Sequence, residues 1–249
     1  MILQRLRVPA HAPLDFELPP LAPDSAVCLG LTLDWTLERV FRPALAAHTA
    51  ACEHARAARF LQGRDALRHL AGRSLLRRLA SAYGGMPALA PLALHSIGRP
   101  DFAAFGLDCN LSHSGNQVWA VATRCTTAGI DVESAQAPPD FLGIAACFHP
   151  TEKRAIEALA EEAPGAAMRC WARKEAVSKA VGQGLSLPLD AYAVDCGPAA
   201  SGWLCHAPAG MAPQDWTTLD LPVPAGYVGA LAVGAPGVQV QVLLLEMVA

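Results

Sequence analysis

The chain has 249 residues, of which 53% are hydrophobic and 16% charged, with a formal net charge of −3. Such a composition describes a folded protein of one large or two small domains; it excludes a disordered chain and a bulk-basic nucleic-acid binder, so any polyanion site has to be local. The sequence shows neither a cleavable apolar leader nor an uncharged apolar run near the ~20 residues of a membrane span, which points to a cytoplasmic protein without a membrane partner.

Along the chain, residues 9–24 are Pro-rich and irregular, "AVCLGLTLD" predicts a strand, and the Ala/Leu/Arg-patterned residues 44–83 predict helix ending at Gly84-Gly85. "HSIGRPDF" reads as a turn, "VWAVAT" (118–123) and "GIDVE" (129–133) as adjacent strands, and "TEKRAIEALAEEA" (151–163) as a helix with a Thr N-cap. A second helix carries "CWARKEAVSKAV". Short strand-like segments follow near 191–196, 202–206 and 214–220, then "YVGALAV" and "VQVQVLLLEMV". Shifted by 110, "RDALRHLAG" lies over "KEAVSKAVG" and "NLSHSGNQVWAVAT" over "DLPVPAGYVGALAV". This predicts an α+β fold of two similar halves face to face, related by a pseudo-twofold axis, with the active site between them. The halves are residues 1–125 and 126–249.

Eight cysteines, at 28, 52, 109, 125, 147, 170, 196 and 205, contain no C-x-x-C spacing, so they read as reduced thiols rather than a disulfide framework or zinc site. In "GIDVE" the strand period of two places Asp131 and Glu133 on one face and Ile130 and Val132 on the other. Paired carboxylates serve a shared divalent cation or are solvated acids on an edge strand. In the following helix Trp171, Glu175 and Lys179 fall at i, i+4, i+8, apart from the apolar stripe of Cys170, Val177 and Val181.

Lysine is rare: it stands only at 153, 174 and 179, against sixteen arginines. Lys174 and Lys179 therefore mark the helix as a place where a compact ammonium is wanted. Ser112 and His113 offer donors for a phosphate; as neighbours they cannot act on each other as nucleophile and base. Arg56, Arg59, Arg64, Arg68, Arg73, Arg77 and Arg78 concentrate positive charge suited to phosphate, with no aromatic platform for nucleic acid.

"GIDVE", "FHPTE" and "WARKEAVSKAVGQGLSLPLDAYAV", preceded by "GRP" and "LSHS", resemble in order and spacing the surfactin-type 4'-phosphopantetheinyl transferases, from about Arg56 to Tyr192 and faintly on through "GYVGALAV". The resemblance implies a monomeric, Mg²⁺-dependent (Mn²⁺-tolerant) holo-acyl-carrier-protein synthase. Such an enzyme moves phosphopantetheine from coenzyme A to a serine of an apo acyl or peptidyl carrier protein. It implies Asp131, Glu133 and Glu175 as metal ligands and Lys179 as the pyrophosphate cation, with Lys174 beside it. Glu152 or Glu175 would be the base. Ser112 and His113 would contact phosphate, Arg99 the adenine side, and Arg56 and His69 the 3'-phosphate. Where some relatives have two lysines, this chain has Glu53 and Arg56. On this reading the first half serves the 3'-phosphate and adenine and the second carries the metal and catalytic motifs. A non-catalytic carrier-protein or coenzyme A binding module of the same fold is the alternative; an ATP-dependent phosphotransferase lacks its G-x-x-x-x-G-K-[ST] loop.

Overall fold

β-branched and apolar runs form the strands, Ala/Leu-rich stretches form the helices, and Gly and Pro punctuate both. The computed structural model describes residues 1–95, 99–125, 127–136, 138 and 141–249; the middle of the expected "HSIGRPDF" turn, 96–98, lies outside them. In chain order the described strands are β1 Ile2–Pro9, β2 Ser25–Thr32, β3 Ala93–Leu94, β4 Pro100–Asp101, β5 Asp108–Ser114, β6 Gln117–Thr123, β7 Ala128–Ser134, β8 Ala193–Val194, β9 Leu204–His206, β10 Thr217–Asp220, β11 Tyr227–Val233 and β12 Gln239–Val248. The described α-helices are α1 Glu38–Ala44, α2 Ala51–Ala57, α3 Gly63–Gly84, α4 Phe141–Ala145, α5 Pro150–Glu157 and α6 Ala163–Val181.

The fold is mixed α and β, and the chain divides into two compact units: Met1–Cys125 with Gln239–Ala249, and Thr126–Val238. The first holds a five-stranded sheet of order β1-β12-β2-β6-β5. β12 is parallel to both neighbours, with Leu243 opposite Gln4 on one side and Leu29 on the other. The sequence reading grouped residues 239–249 with the second half. Their apolar strand is instead claimed by β1 and β2. α3 covers this sheet through Leu67, Leu70, Ala71 and Leu75, which share a core with Val27, Leu29 and Leu31. The expected 44–83 helix is broken into a 3-10 turn at Leu45–His48, α2 and α3, with Thr49 extended (φ −138°) between the first two. α3 ends where Gly85 takes the left-handed conformation, φ 67°.

The second unit holds a three-stranded antiparallel sheet, β10-β11-β7, covered by α6, and a small β8-β9 pair. β6 and β7, expected as adjacent strands, belong to different sheets. α5 starts at a His149 N-cap, whose Nδ1 takes the Thr151 N–H at 3.3 Å, rather than at Thr151, and it stops at Glu157. Within each of the triplets β2, β5, β6 and β7, β10, β11 the last strand in sequence lies between the other two: β2-β6-β5 and β7-β11-β10. The offset of 110 carries β6 onto β11 residue for residue. Its helical part does not hold. Gly72 is interior to α3, where a Cβ would meet Leu111 Cδ1 at 2.8 Å, whereas Gly182 is the left-handed cap ending α6 at φ 79°. Alanine-rich helices match one another by composition alone.

α6 lies on β7 at backbone contact. A Cβ on Gly129 would stand 1.9 Å from the Ala176 carbonyl oxygen and 2.5 Å from the Ala180 nitrogen. Ala172, Ala176 and Ala180 form a fully buried i, i+4, i+8 stripe that makes this approach possible. Gly129→Ala forces backbone apart and is expected to cost upward of ~3 kcal/mol. Gly165→Ala, on α6 with nothing within 4 Å of its Cβ position, is expected to be neutral or stabilising by up to ~1 kcal/mol. Urea denaturation of the two variants checks this; equal effects would show that the Gly129 contact is not a constraint.

Candidate active site

Gly129, Asp131 and Glu133 alternate onto the face of β7 that α6 covers. Asp131 is only 2% exposed, and Ile130 and Val132 on the opposite face are fully buried, so this is no solvated edge. On α6, Glu175 and Lys179 each precede one of the alanines in contact with Gly129, which sets them beside the strand acids. Lys179 Nζ donates to Asp131 Oδ1 at 2.6 Å and to the Ile130 carbonyl at 3.3 Å. Burial pushes the Glu175 carboxyl above the ordinary carboxylate range; Lys179 pulls it back, and Asp131 and Glu133 push it further up. Asp131, Glu133, Glu175 and Lys179 thus form one electrostatic cluster.

Trp171, expected on the same stripe, joins an aromatic group instead, stacked on Phe148 at 6.4 Å and edge-on to Phe141 at 6.1 Å. Lys174 also turns away. Fully buried, its Nζ sits 2.8 Å from Glu152 Oε1 and donates to the Tyr192 carbonyl at 2.8 Å, with the Tyr192 ring 4.1 Å away. Tyr192 returns a hydrogen bond from its hydroxyl to the Lys174 carbonyl. Glu152 is equally engaged: Oε2 accepts the His149 N–H at 2.8 Å, closing the α5 cap, and Oε1 accepts the Val194 N–H at 2.7 Å. The geometry makes Glu152 and Lys174 a buried pair tying α5, α6 and β8.

Arg173, which the sequence reading passed over, is the second inward cation. It grips Asp220 through Nε and Nη2 at 2.9 and 2.6 Å and bonds the carbonyls of Gly197 and Ala199 at 3.1 and 2.6 Å.

In the first unit α3 presents His69 and Arg73. His69 is pushed down to about 4 by burial, then by the charges of Arg73, Arg56 and His113. His69 Nε2 and Arg73 Nη1 are buried with no hydrogen-bond partner. A buried guanidinium nitrogen of Arg73 without an acceptor, beside a neutral His69 and the charge of Arg56, would suit an anion. Exposed Arg56, with Arg59 and Phe60, lines a pocket of about 250 Å³ there. Arg73 was missed as a site residue because its unpaired nitrogen is a fact of burial.

His113 is exposed and Ser112 buried, on opposite faces of β5, so the two do not act as a side-by-side pair. The Arg99 guanidinium holds Asp108 and the Cys109 carbonyl. Glu53 is buried and accepts from Arg77 Nε at 2.9 Å and from the Ala50 N–H at 2.8 Å.

The β7–α6 cluster has the donors of a hard divalent cation: three carboxylates, with Glu175 Oε1 buried and lacking a hydrogen-bond partner. Among the described residues no three His, Cys, Asp or Glu side chains close on an ion by themselves, so oxygens of a ligand or water would have to complete the shell. No described helix is long and apolar enough to cross a membrane.

Residues 127–232, which contain this cluster, match the 4'-phosphopantetheinyl transferase superfamily. The chain is 33% identical to the 4'-phosphopantetheinyl transferase HetI of Nostoc sp. strain PCC 7120 over 202 residues, 78% of this chain and 82% of the relative. It is 35% identical to a 4'-phosphopantetheinyl transferase of Bacillus subtilis over 119 residues, 46% of this chain and about half, 51%, of that relative's length. The chain belongs to the 4'-phosphopantetheinyl transferase superfamily.

The buried pair and the anion site each carry a measurable expectation. Lys174→Met leaves the Glu152 carboxylate buried without its cation and is expected to lower stability by about 3–5 kcal/mol, read by urea denaturation. A loss below ~1 kcal/mol would mean that the N–H donors alone hold Glu152. A phosphate dianion bound among Arg56, His69 and Arg73 favours imidazolium, so saturating phosphate is expected to raise His69 from about 4 toward or past its ordinary 6.5. Histidine NMR across pH follows this shift directly; an unmoved His69 would place the anion elsewhere.

Proposed function

We propose that this protein transfers the 4'-phosphopantetheine group of coenzyme A to a serine of an apo acyl or peptidyl carrier protein, releasing 3',5'-ADP. The serine Oγ–P bond forms as the P–O bond to the departing nucleotide breaks, and the serine proton is taken up by a carboxylate. The observation that carries this reading is the convergence of Asp131, Glu133, Glu175 and Lys179 on one strand–helix contact. That arrangement is suited to neutralising and orienting a pyrophosphate, which is most of what phosphoryl-type transfer asks of a protein.

Asp131, Glu133 and Glu175 would hold Mg²⁺ or Mn²⁺, which supplies charge neutralisation on the pyrophosphate when bound. Lys179 adds a compact ammonium that a guanidinium does not replace. Between the two carboxylates expected as base, the geometry favours Glu175. Both oxygens of Glu152 accept other hydrogen bonds, whereas Glu175 Oε1 has no hydrogen-bond partner, so a Glu175 not engaged by the cation would be the one able to take the serine proton. His69, Arg73, Arg56 and His113 would take the 3'-phosphate of the same coenzyme A. Glu53 is taken up by Arg77, and the partnerless Arg73 nitrogen would supply positive charge to the phosphate.

Intact mass of a panel of apo carrier proteins tests the reading: a gain of one phosphopantetheine is expected only with coenzyme A and a divalent cation. No gain on any carrier, with coenzyme A still bound, would leave the non-catalytic binding module. Lys179→Arg keeps the charge but is too large and too basic for the site, and kcat is expected to fall by about 10²–10⁴ with the fold intact. Kinetics within a few-fold of the parent would remove Lys179 from the reaction.

A further inference from the structure

Lys179 holds Asp131, one of the oxygens that the proposed cation needs. The ammonium lies 2.6 Å from Asp131 Oδ1 and is anchored a second time, at 3.3 Å, on the Ile130 carbonyl. Asp131 is 2% exposed, so its negative charge cannot be left to water, and a buried carboxylate needs a counter-charge at all times. Lys179 has the means to leave. Its side chain keeps 25% exposure, and its four-carbon stem is rooted in the last turn of α6, so the ammonium can swing without moving backbone.

We infer that Lys179 is a placeholder cation: it neutralises Asp131 while the site is empty and is handed to the pyrophosphate as a divalent cation takes its place. A dication approaching the empty site meets Asp131 already neutralised and an ammonium at contact distance, so the free protein binds metal weakly. Coenzyme A provides the phosphate oxygens that draw Lys179 away, and metal and coenzyme A then bind with positive cooperativity, each raising the affinity for the other by the same factor. This inference rests on the transferase reading for the identity of the second ligand.

Mn²⁺ binding, followed by the loss of the free-ion electron paramagnetic resonance signal with no carrier protein present, separates this from a static Lys179. For the parent protein, coenzyme A is expected to tighten Mn²⁺ by 10-fold or more. Lys179→Met, with the placeholder gone, is expected to bind Mn²⁺ at least 10-fold tighter than the parent without coenzyme A, and to gain less than the parent does when coenzyme A is added. Its melting temperature is expected to be lower than the parent's without metal and to recover more when Mn²⁺ is added, because the metal replaces the missing counter-charge. Lys179→Gln, which keeps an N–H donor for Asp131 but not the charge, guards against misfolding and is expected to bind Mn²⁺ as Lys179→Met does. Equal or weaker Mn²⁺ binding by both variants overturns the placeholder. Carrier modification by the parent protein is measured separately, so that outcome leaves the transferase reading standing, and a parent that modifies no carrier sinks that reading without touching the metal-binding result.

Discussion

The second unit is organised by one approach of backbone to backbone: Gly129 of β7 against Ala176 and Ala180 of α6, with no space for a single methyl group. Distances between a helix and a sheet are ordinarily set by side chains, and here the side chains have been removed from the contact. The residues immediately before Ala176 and Ala180 are Glu175 and Lys179, and those two and four places after Gly129 are Asp131 and Glu133. Eliminating bulk at the contact draws four charged groups into reach of one another. Their mutual influence, the raised Glu175 carboxyl and the Lys179–Asp131 bond, follows from that proximity.

α6 carries its cations in two directions. Arg173 and Lys174 point inward, each saturated by a carboxylate and backbone carbonyls, while Lys179 points to the strand acids. Rotation of 100° per residue suffices for this division: Lys174 and Glu175 are neighbours in sequence and lie on different faces. Burying two cations under an active helix fixes its rotation and height, since neither can shift without uncovering an ionic group in the interior. α5 is secured by the same device, because Glu152 caps it and binds Lys174 with the same carboxylate.

Much of this was legible in the sequence, and the limits have physical causes. Strand alternation in "GIDVE" and the i, i+4 spacing of Glu175 and Lys179 located the charged cluster, because period and pitch are local properties. The scarcity of lysine pointed to Lys174 and Lys179 together, yet only burial tells a structural cation from a chemical one, and burial is not local. The same holds for Arg73, whose significance is an unpartnered nitrogen, and for the Ser112–His113 step, which a strand splits and a turn would have kept together. Likewise the sequence named β12 as a strand and grouped it with residues 126–249, since its pairing is decided more than 200 residues away, against β1 and β2.

That placement of β12 governs the order in which the protein can be made. The first unit's sheet has residues 239–248 as an interior strand, flanked on both sides by segments made more than 200 residues earlier. Until these residues emerge, β1 lacks its only neighbour among the described strands and one flank of β2 is unpaired. The second unit, by contrast, is a continuous stretch that holds all its own strands. The charged cluster on β7 and α6 is therefore free to form on the nascent chain, while the sheet beneath the basic pocket must wait for residues 239–248 and presents an apolar edge to chaperones or to aggregation in the interval.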